Sequence, residues 1–264
     1  MINLVRGRRS KRSLLAFVRT YWVLAALGLM VLGGAAWWFA GSPLFRLKTV
    51  AVGGLVRVSK ADVLARAELD PRSNVWLMDR RAVERRIEAI PYVAAARVHR
   101  RFPADVRIDV TEREPSICLH DGAHRSYTLD PALRVLERGC AAPGIPTFTV
   151  QAPLDAAPGA FERDAQLLRL QSDAAALAAA GHRYRAFAEG AYGELVATLW
   201  DGITVRFARD ADLGRAQSLI APILAQLGPR AAYVRSVDLR APTTPVVEYR
   251  ENEPARGKPA YPQQ

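Results

Sequence analysis

The sequence holds none of the short motifs that mark a catalytic centre. There is no Gly-x-Ser-x-Gly elbow, no His-Glu-x-x-His, no Walker loop and no dinucleotide fingerprint. Any nucleophile or metal site would have to be assembled from unmarked residues, so the expectation is a non-enzyme with no cofactor. Acidic residues are missing from the first 20 positions, while Arg6, Arg8, Arg9, Lys11, Arg12 and Arg19 place +6 of the net +11 charge there. Charge of either sign is missing from Tyr21–Ala40. Cysteine is nearly absent, with Cys118 and Cys140 the only two.

These gaps constrain what the chain does. A pI near 10.2 first suggests nucleic acid, yet the positive charge is concentrated beside an uncharged apolar run. A positive-inside membrane topology explains that arrangement more economically than nucleic-acid binding. Twenty helical residues at about 1.5 Å each cover about 30 Å, the thickness of a bilayer core. Trp22 at one end and Trp37 and Trp38 at the other fit interfacial aromatic belts, and Pro43 stops the helix. A cleaved signal peptide is the rival reading, because Gly33-Gly34-Ala35-Ala36 is rich in small residues. The apolar run, however, exceeds the roughly 7–15 residues of a signal-peptide core and continues through Trp37-Trp38-Phe39. The expected organisation is a basic cytoplasmic tail at 1–20, a transmembrane helix at 21–41 and a large exterior part. A hydrophobic content of 50% excludes a disordered chain overall.

Residues 44–115 read as a βααββ module. A strand at Leu47–Val52 precedes a helix opened by Ser59 and Asp62, where a capping side chain and its reciprocal acid suit the positive helix end. A second helix is opened by Asp79 and stopped by Pro91, with Val83, Ile87 and Ile90 at helical spacing. A hairpin with halves Val93–Arg101 and Val106–Glu112 closes the module; Val106, Ile108 and Val110 alternate with Arg107, Asp109 and Thr111 around a Phe102–Asp105 turn. Arg80, Arg81, Arg85 and Arg86 read as a solvated helix face partly balanced by Glu84 and Glu88, with anionic lipid or an acidic partner as the alternative.

Beyond Pro115, short strands are expected at Ser116–His120, Tyr127–Leu129 and Arg134–Arg138. A Pro/Ala/Gly-rich loop and a helix at Phe161–Ala180 follow. Glu194–Trp200 and Ile203–Phe207 form a hairpin through Asp201-Gly202. A helix with the stripe Leu213, Ala216, Ile220, Ile223, Leu224 and Leu227, bent at Pro222, ends at Gly228-Pro229. Closing strands fall at Val234–Leu239 and Pro245–Arg250, and Glu251–Gln264 reads as a disordered tail. The fold class is α+β, with the βααββ module at 44–115 and a mixed β-domain with two or more helices at 116–250.

Three motif groups carry a family resemblance. They are Phe45-x-Leu47-x-x-Val50-x-Val52-x-Gly54, then Ile90-Pro91-Tyr92-Val93-x-x-Ala96-x-Val98-x-Arg100-x-Phe102-Pro103, then Val110-x-Glu112-Arg113-x-Pro115. In this order after a single span, they resemble a POTRA domain of the FtsQ/DivIB type, a family of bitopic bacterial cell-division proteins. The region 116–250 resembles the β-domain of that family, best at Leu199–Val205 leading into the Leu213–Leu227 helix and at Val237-Asp238-Leu239-Arg240. The resemblance implies a non-catalytic scaffold of the divisome in the inner membrane at the division septum, with the N-terminus cytoplasmic and the C-terminus outside. Its implied partners are other division membrane proteins, FtsB-like and FtsL-like coiled-coil proteins among them. It further implies that the last strand, with Val246, Val247, Glu248, Tyr249 and Arg250, lies at a sheet edge and receives a partner segment. Ala241 stands where an aromatic is common, and Pro242 and Pro245 remove two donors, so the paired stretch is short.

Two other constellations are open to chemistry. His120 and His124, with Cys118 nearby, invite a metal, but the spacing crosses an Asp121-Gly122 turn and no further ligand pair is close in sequence, so no metal is expected. Cys118 and Cys140 either form a disulfide in an oxidising exterior or stay as two isolated, partly buried thiols. The alternative function is a membrane-anchored exterior domain that senses or modifies cell-wall material, which would need a cleft with paired carboxylates.

Overall fold

The computed structural model describes residues 11–140, 142–179 and 181–250. Arg6, Arg8 and Arg9 of the basic tail, and the tail expected at Glu251–Gln264, lie outside the described residues. Helix α1 runs Lys11–Gly41, and its portion Tyr21–Gly41 is long and apolar enough to cross a membrane. Its side chains there are exposed, as a lipid-facing helix requires. The last carbonyls of a helix have no partner within it. Here Asn74, a buried residue, donates from Nδ2 to the Phe39 carbonyl at 2.8 Å, and Ser42 caps the short 3-10 turn Pro43–Phe45 that follows. The chain divides into two compact units. One comprises the residues up to Glu88 with Ala95–Glu112, the other Ala89–Ala94 with the residues from Arg113.

In the first unit, β1 (Thr49–Gly53), α2 (Lys60–Ala67), α3 (Arg80–Glu88), β2 (Val93–Arg101) and β3 (Asp105–Glu112) follow the βααββ order. The sheet order is β1-β3-β2, with β1 parallel to β3 in the register Val50↔Val106 and Val52↔Ile108. Alternation fixes the faces: Val106, Ile108 and Val110 of β3 are buried, as are Val83 and Ile87 of α3. Ser59 caps α2 by accepting from the Asp62 amide, while its own hydroxyl donates to the Asp62 carboxylate. Glu84 and Glu88 have a second role besides any with the arginine face. Their carboxylates turn onto β2 and accept from the amides of Val98 (2.8 Å) and Ala96 (3.1 Å), occupying donors that the strand would otherwise leave open at the sheet edge. Arg86 folds back to the Ala67 carbonyl and to Glu68.

At the far end of β3, Glu112 closes the loop that precedes α2. Its carboxylate accepts from the successive amides of Val56, Arg57 and Val58 at 2.8 to 3.1 Å. The approach is close enough to fix Gly54, at φ +84°, where a Cβ would lie 2.0 Å from the Val110 carbonyl oxygen. Two residues of the sequence motifs, Gly54 and Glu112, are thereby explained by backbone geometry.

The second unit is a nine-stranded sheet in the order β12-β11-β10-β9-β8-β7-β4-β5-β6, packed on helices. Its strands are β4 (Ile117–His120), β5 (Ser126–Leu129), β6 (Val135–Arg138), β7 (Thr147–Thr149), β8 (Tyr184–Glu189), β9 (Leu195–Leu199), β10 (Thr204–Phe207), β11 (Val234–Leu239) and β12 (Val246–Tyr249). Parallel neighbours need a crossover, and α4 (Ala165–Ala179) supplies it between β7 and β8, while α5 (Leu213–Gln217) and α6 (Ile220–Leu227) supply it between β10 and β11. Leu167, Leu170 and Leu177 of α4 are buried in a core with Phe148 and Phe187, whose rings meet edge-on at 5.1 Å.

Two sequence expectations are corrected. The stretch after Cys140 is not only loop, since it contributes β7, and β8 lies beyond α4. The helix expected at Leu213–Leu227 is two helices broken at Ser218 and Leu219; Pro222 lies in the first turn of α6, where its missing amide has no partner to lose. The loops β4–β5 and β5–β6 share one device the sequence did not announce. Asp121 accepts from the amides of Ala123 and Arg125, and Asp130 from those of Ala132 and Arg134. In each, the residue just before the arginine, His124 at φ +60° and Leu133 at φ +61°, is left-handed without being glycine. Asp121 also accepts from the Leu154 amide and Arg125 Nε, and Asp130 pairs with Arg113 at 2.8 Å.

Cys118 on β4 and Cys140 after β6 are joined as a disulfide, with their Cα atoms 5.4 Å apart. Burial pushes the Glu112 carboxyl up, and its three backbone donors outweigh that and hold it below the usual range. A carboxyl lowered on folding stabilises the fold above its unfolded pKa and loses that contribution as pH falls through the folded value. Glu112→Ala should therefore destabilise the βααββ module by about 1–3 kcal/mol at neutral pH, and by progressively less as the pH is taken below about 4. Chemical denaturation across pH checks both. A thiol count on unreduced, unfolded protein should return none, and reduction should cost about 3 kcal/mol of stability in the same assay.

Candidate functional site

Strand β12 is the last described element and lies at one end of the nine-stranded sheet. It pairs with β11 antiparallel, with Val246↔Asp238, Val247↔Val237, Glu248↔Ser236 and Tyr249↔Val234, and a bulge on β11 between Val234 and Ser236. The Arg250 amide donates inward to the Tyr233 carbonyl at 2.8 Å. Backbone groups alternate along a strand, so those of Val246 and Glu248 also face β11, and those of Val247 and Tyr249 point away from the sheet. These outward groups have no bond to another described residue. The opposite end of the sheet differs: β6 is met by the Ala157–Glu162 segment, where Val135 exchanges backbone bonds with Gly159 and Ala160.

Side chains divide the strand by face. Val246 and Glu248 are exposed, and Glu248 accepts from the Ser236 hydroxyl at 2.6 Å. Val247 and Tyr249 are half-buried against the domain core, and the Arg230 guanidinium stacks 4.6 Å above the Tyr249 ring. Tyr249 thus anchors β12 to its own sheet rather than standing free as a pocket wall. What the strand presents outward is main chain. At the near end of β11, Arg240 grips Asp238 at 2.6 Å, and that contact with the Arg240 amide holds the aspartate below the usual carboxylate range.

A second concave feature lies between α4 and the β8–β9 hairpin, a cleft of about 150 Å³ lined by Arg169, Asp173, Glu189, Glu194 and Arg209 among others. Glu189 is held by two guanidinium groups, Arg209 at 2.7 Å and Arg169 at 3.3 Å, and Glu194 accepts from the Tyr192 amide. Burial raises Asp173, with Arg169 opposing and Glu189 adding to the shift. Glu189 and Glu194 are thus engaged in the structure of the cleft itself. Of the residues weighed as metal ligands, Cys118 and His120 come together, with His120 Nε2 3.4 Å from the Cys118 sulfur and Cys140 joining them, while His124 sits in the left-handed turn. Both sulfurs are committed to the disulfide and offer no thiolate.

The comparisons with known proteins agree with this architecture. The family model "POTRA domain, FtsQ-type" matches residues 45–113. A Streptomyces collinus protein named "Cell division protein FtsQ" is 29% identical over 234 residues, 86% of this chain and 87% of that relative. A protein of the same name from Neisseria meningitidis serogroup B is 27% identical over 74% of this chain and 79% of its own length. A third, from Myxococcus fulvus, is 41% identical over 90 residues, which span 33% of this chain and only 32% of that relative. An FtsQ-type POTRA module thus follows an apolar helix, and the likeness to proteins named cell division protein FtsQ continues through the β-domain.

Proposed function

We propose that this chain is a single-pass scaffold of the division machinery which captures a segment of a partner membrane protein by strand addition along β12. The observation that supports it is the outward row of main-chain groups at Val247 and Tyr249, on a strand with no later described element to cover it. Strand addition draws its affinity from such main-chain bonds and its specificity from alternate side chains, here exposed Val246 and Glu248 on one face. The partner class is a coiled-coil division protein of the FtsB type, with an FtsL-like protein alongside it, acting at the septum. The scaffold has no catalytic step. A cell-wall-modifying activity would need free paired carboxylates, and Glu189 and Glu194 of the α4 cleft are tied up by Arg169, Arg209 and backbone.

The basic residues before Tyr21 favour a cytoplasmic N-terminus, with the POTRA and β-domains outside. A reporter active only outside the membrane should then work when fused after Arg250 and fail when fused before Tyr21; the reverse result would overturn the topology. For the partner site, proline at Val247 removes an outward donor and leaves the β11 ladder intact, a position where an edge strand tolerates it. Val247→Pro in the full chain should keep its melting temperature and weaken co-purification of the FtsB-like partner by about tenfold or more. Unchanged capture by a folded variant would move the site elsewhere. Tyr249→Ala is the poorer probe, because it also removes the Arg230 stack.

A further inference from the structure

The first unit carries an exposed apolar patch that the strand-addition site does not use. Phe102, at the tip of the β2–β3 hairpin, is 73% exposed, Leu77 63% and Leu44 45%. Such residues on one small surface mark an interaction site rather than a solvated face. Their position is fixed by a chain of contacts leading to the end of α1. Phe102 meets the Phe45 ring at 6.3 Å, and Phe45 meets Phe39 at 4.5 Å. Trp76 donates from Nε1 to the Pro103 carbonyl, Val75 to the Phe45 carbonyl and Leu77 to the Asn74 carbonyl, while Asn74 holds the Phe39 carbonyl of α1. Phe39 is two residues from exposed Trp37 and next to exposed Trp38, the aromatic pair at the outer end of the apolar segment. The patch therefore sits at the depth of the headgroups of any bilayer that α1 crosses.

The charge around it fits such a surface. Arg46, Lys48 and Arg101 are exposed beside the patch, and none of them has an ion pair among the described residues. The nearby carboxylate of Asp105 accepts from the Thr49 hydroxyl at 2.6 Å. Apolar tips flanked by unpaired cations match the bilayer interface, where acyl chains and phosphates lie within a few ångströms of each other.

We propose that Phe102, Leu44 and Leu77 seat the POTRA module in the interface of the bilayer crossed by α1, with Arg46, Lys48 and Arg101 meeting anionic headgroups. This rests on Tyr21–Gly41 being a membrane span. The far end of the module supplies an internal control. Val56, 88% exposed, is bound to Glu112, eight residues along β3 from the hairpin tip, or about 25 Å at strand rise.

The full chain, with its native disulfide intact, is given one added cysteine at a time, Phe102→Cys, Val56→Cys or Leu29→Cys, and each is labelled with an environment-sensitive fluorophore. The proteins are reconstituted in phosphatidylcholine–phosphatidylglycerol vesicles containing lipid brominated near the headgroup or at the acyl-chain centre. The expected result is loss of most of the fluorescence at position 102 with headgroup-proximal bromine, at position 29 with central bromine, and at position 56 with neither. Arg101→Cys should repeat the result for position 102 without touching the Phe45 contact. If position 29 is quenched while positions 101 and 102 behave like 56, the span stands and the seating is overturned, leaving the patch to another protein. If position 29 is not quenched, the span fails and the seating with it.

Discussion

Backbone amides that their own element cannot satisfy are the constraint on which this molecule turns. Leaving such a donor without water or a partner costs about 1–3 kcal/mol, comparable with a large part of a small domain's net stability. The fold answers with carboxylates. Glu84 and Glu88 occupy β2, Glu112 gathers three successive amides before α2, and Asp121 and Asp130 each organise a whole loop. Asn74 does the reverse for α1, donating to a carbonyl at the helix end. Each of these side chains is charged or polar, yet its role is to substitute for missing backbone.

The same accounting separates a closed edge from an open one. At β6 the Ala157–Glu162 segment lies along the strand, and at β2 the α3 carboxylates do. Among the described residues, strand β12 has main-chain bonds on its inner side only. An edge of this kind is a liability that proteins usually blunt. Here the shortness of the strand limits the risk: four residues, preceded by Pro245 and Pro242, offer few donors for indiscriminate pairing.

How far the fold was legible in the sequence follows from how regular each element is. Helix α3 and the β2–β3 hairpin obey single periods, 3.6 and 2, and were read to within a residue or two. Strand β8 was missed because a bulge between Tyr184 and Ala186 interrupts the alternation, so its buried Tyr184 and Phe187 are three apart, a helix-like spacing. The α5–α6 break escaped notice because the apolar stripe continues in phase across Ser218 and Leu219. The turns at Asp121 and Asp130 were legible, but their closure by the aspartate carboxylates was not, because the left-handed residues are histidine and leucine. The edge position of β12 was legible from its place before a Pro-containing tail. The Tyr249 side chain is committed inward because Arg230 reaches it from the turn that precedes β11.

That commitment bears on how capture at β12 would work. A strand that receives a partner must hold its own register, or the incoming segment pulls it out of line instead of adding to it. The bulge on β11 weakens register at this corner, where Val234 and Ser236 oppose Tyr249 and Glu248 with Arg235 left between them. Three side-chain contacts restore it: Tyr249 under Arg230, Val247 in the core, and Glu248 on the Ser236 hydroxyl. Strand β12 is therefore anchored through its side chains and open through its main chain. A partner adding to it would supply the second set of backbone bonds without disturbing the first, which is the condition for a scaffold that binds and releases without unfolding.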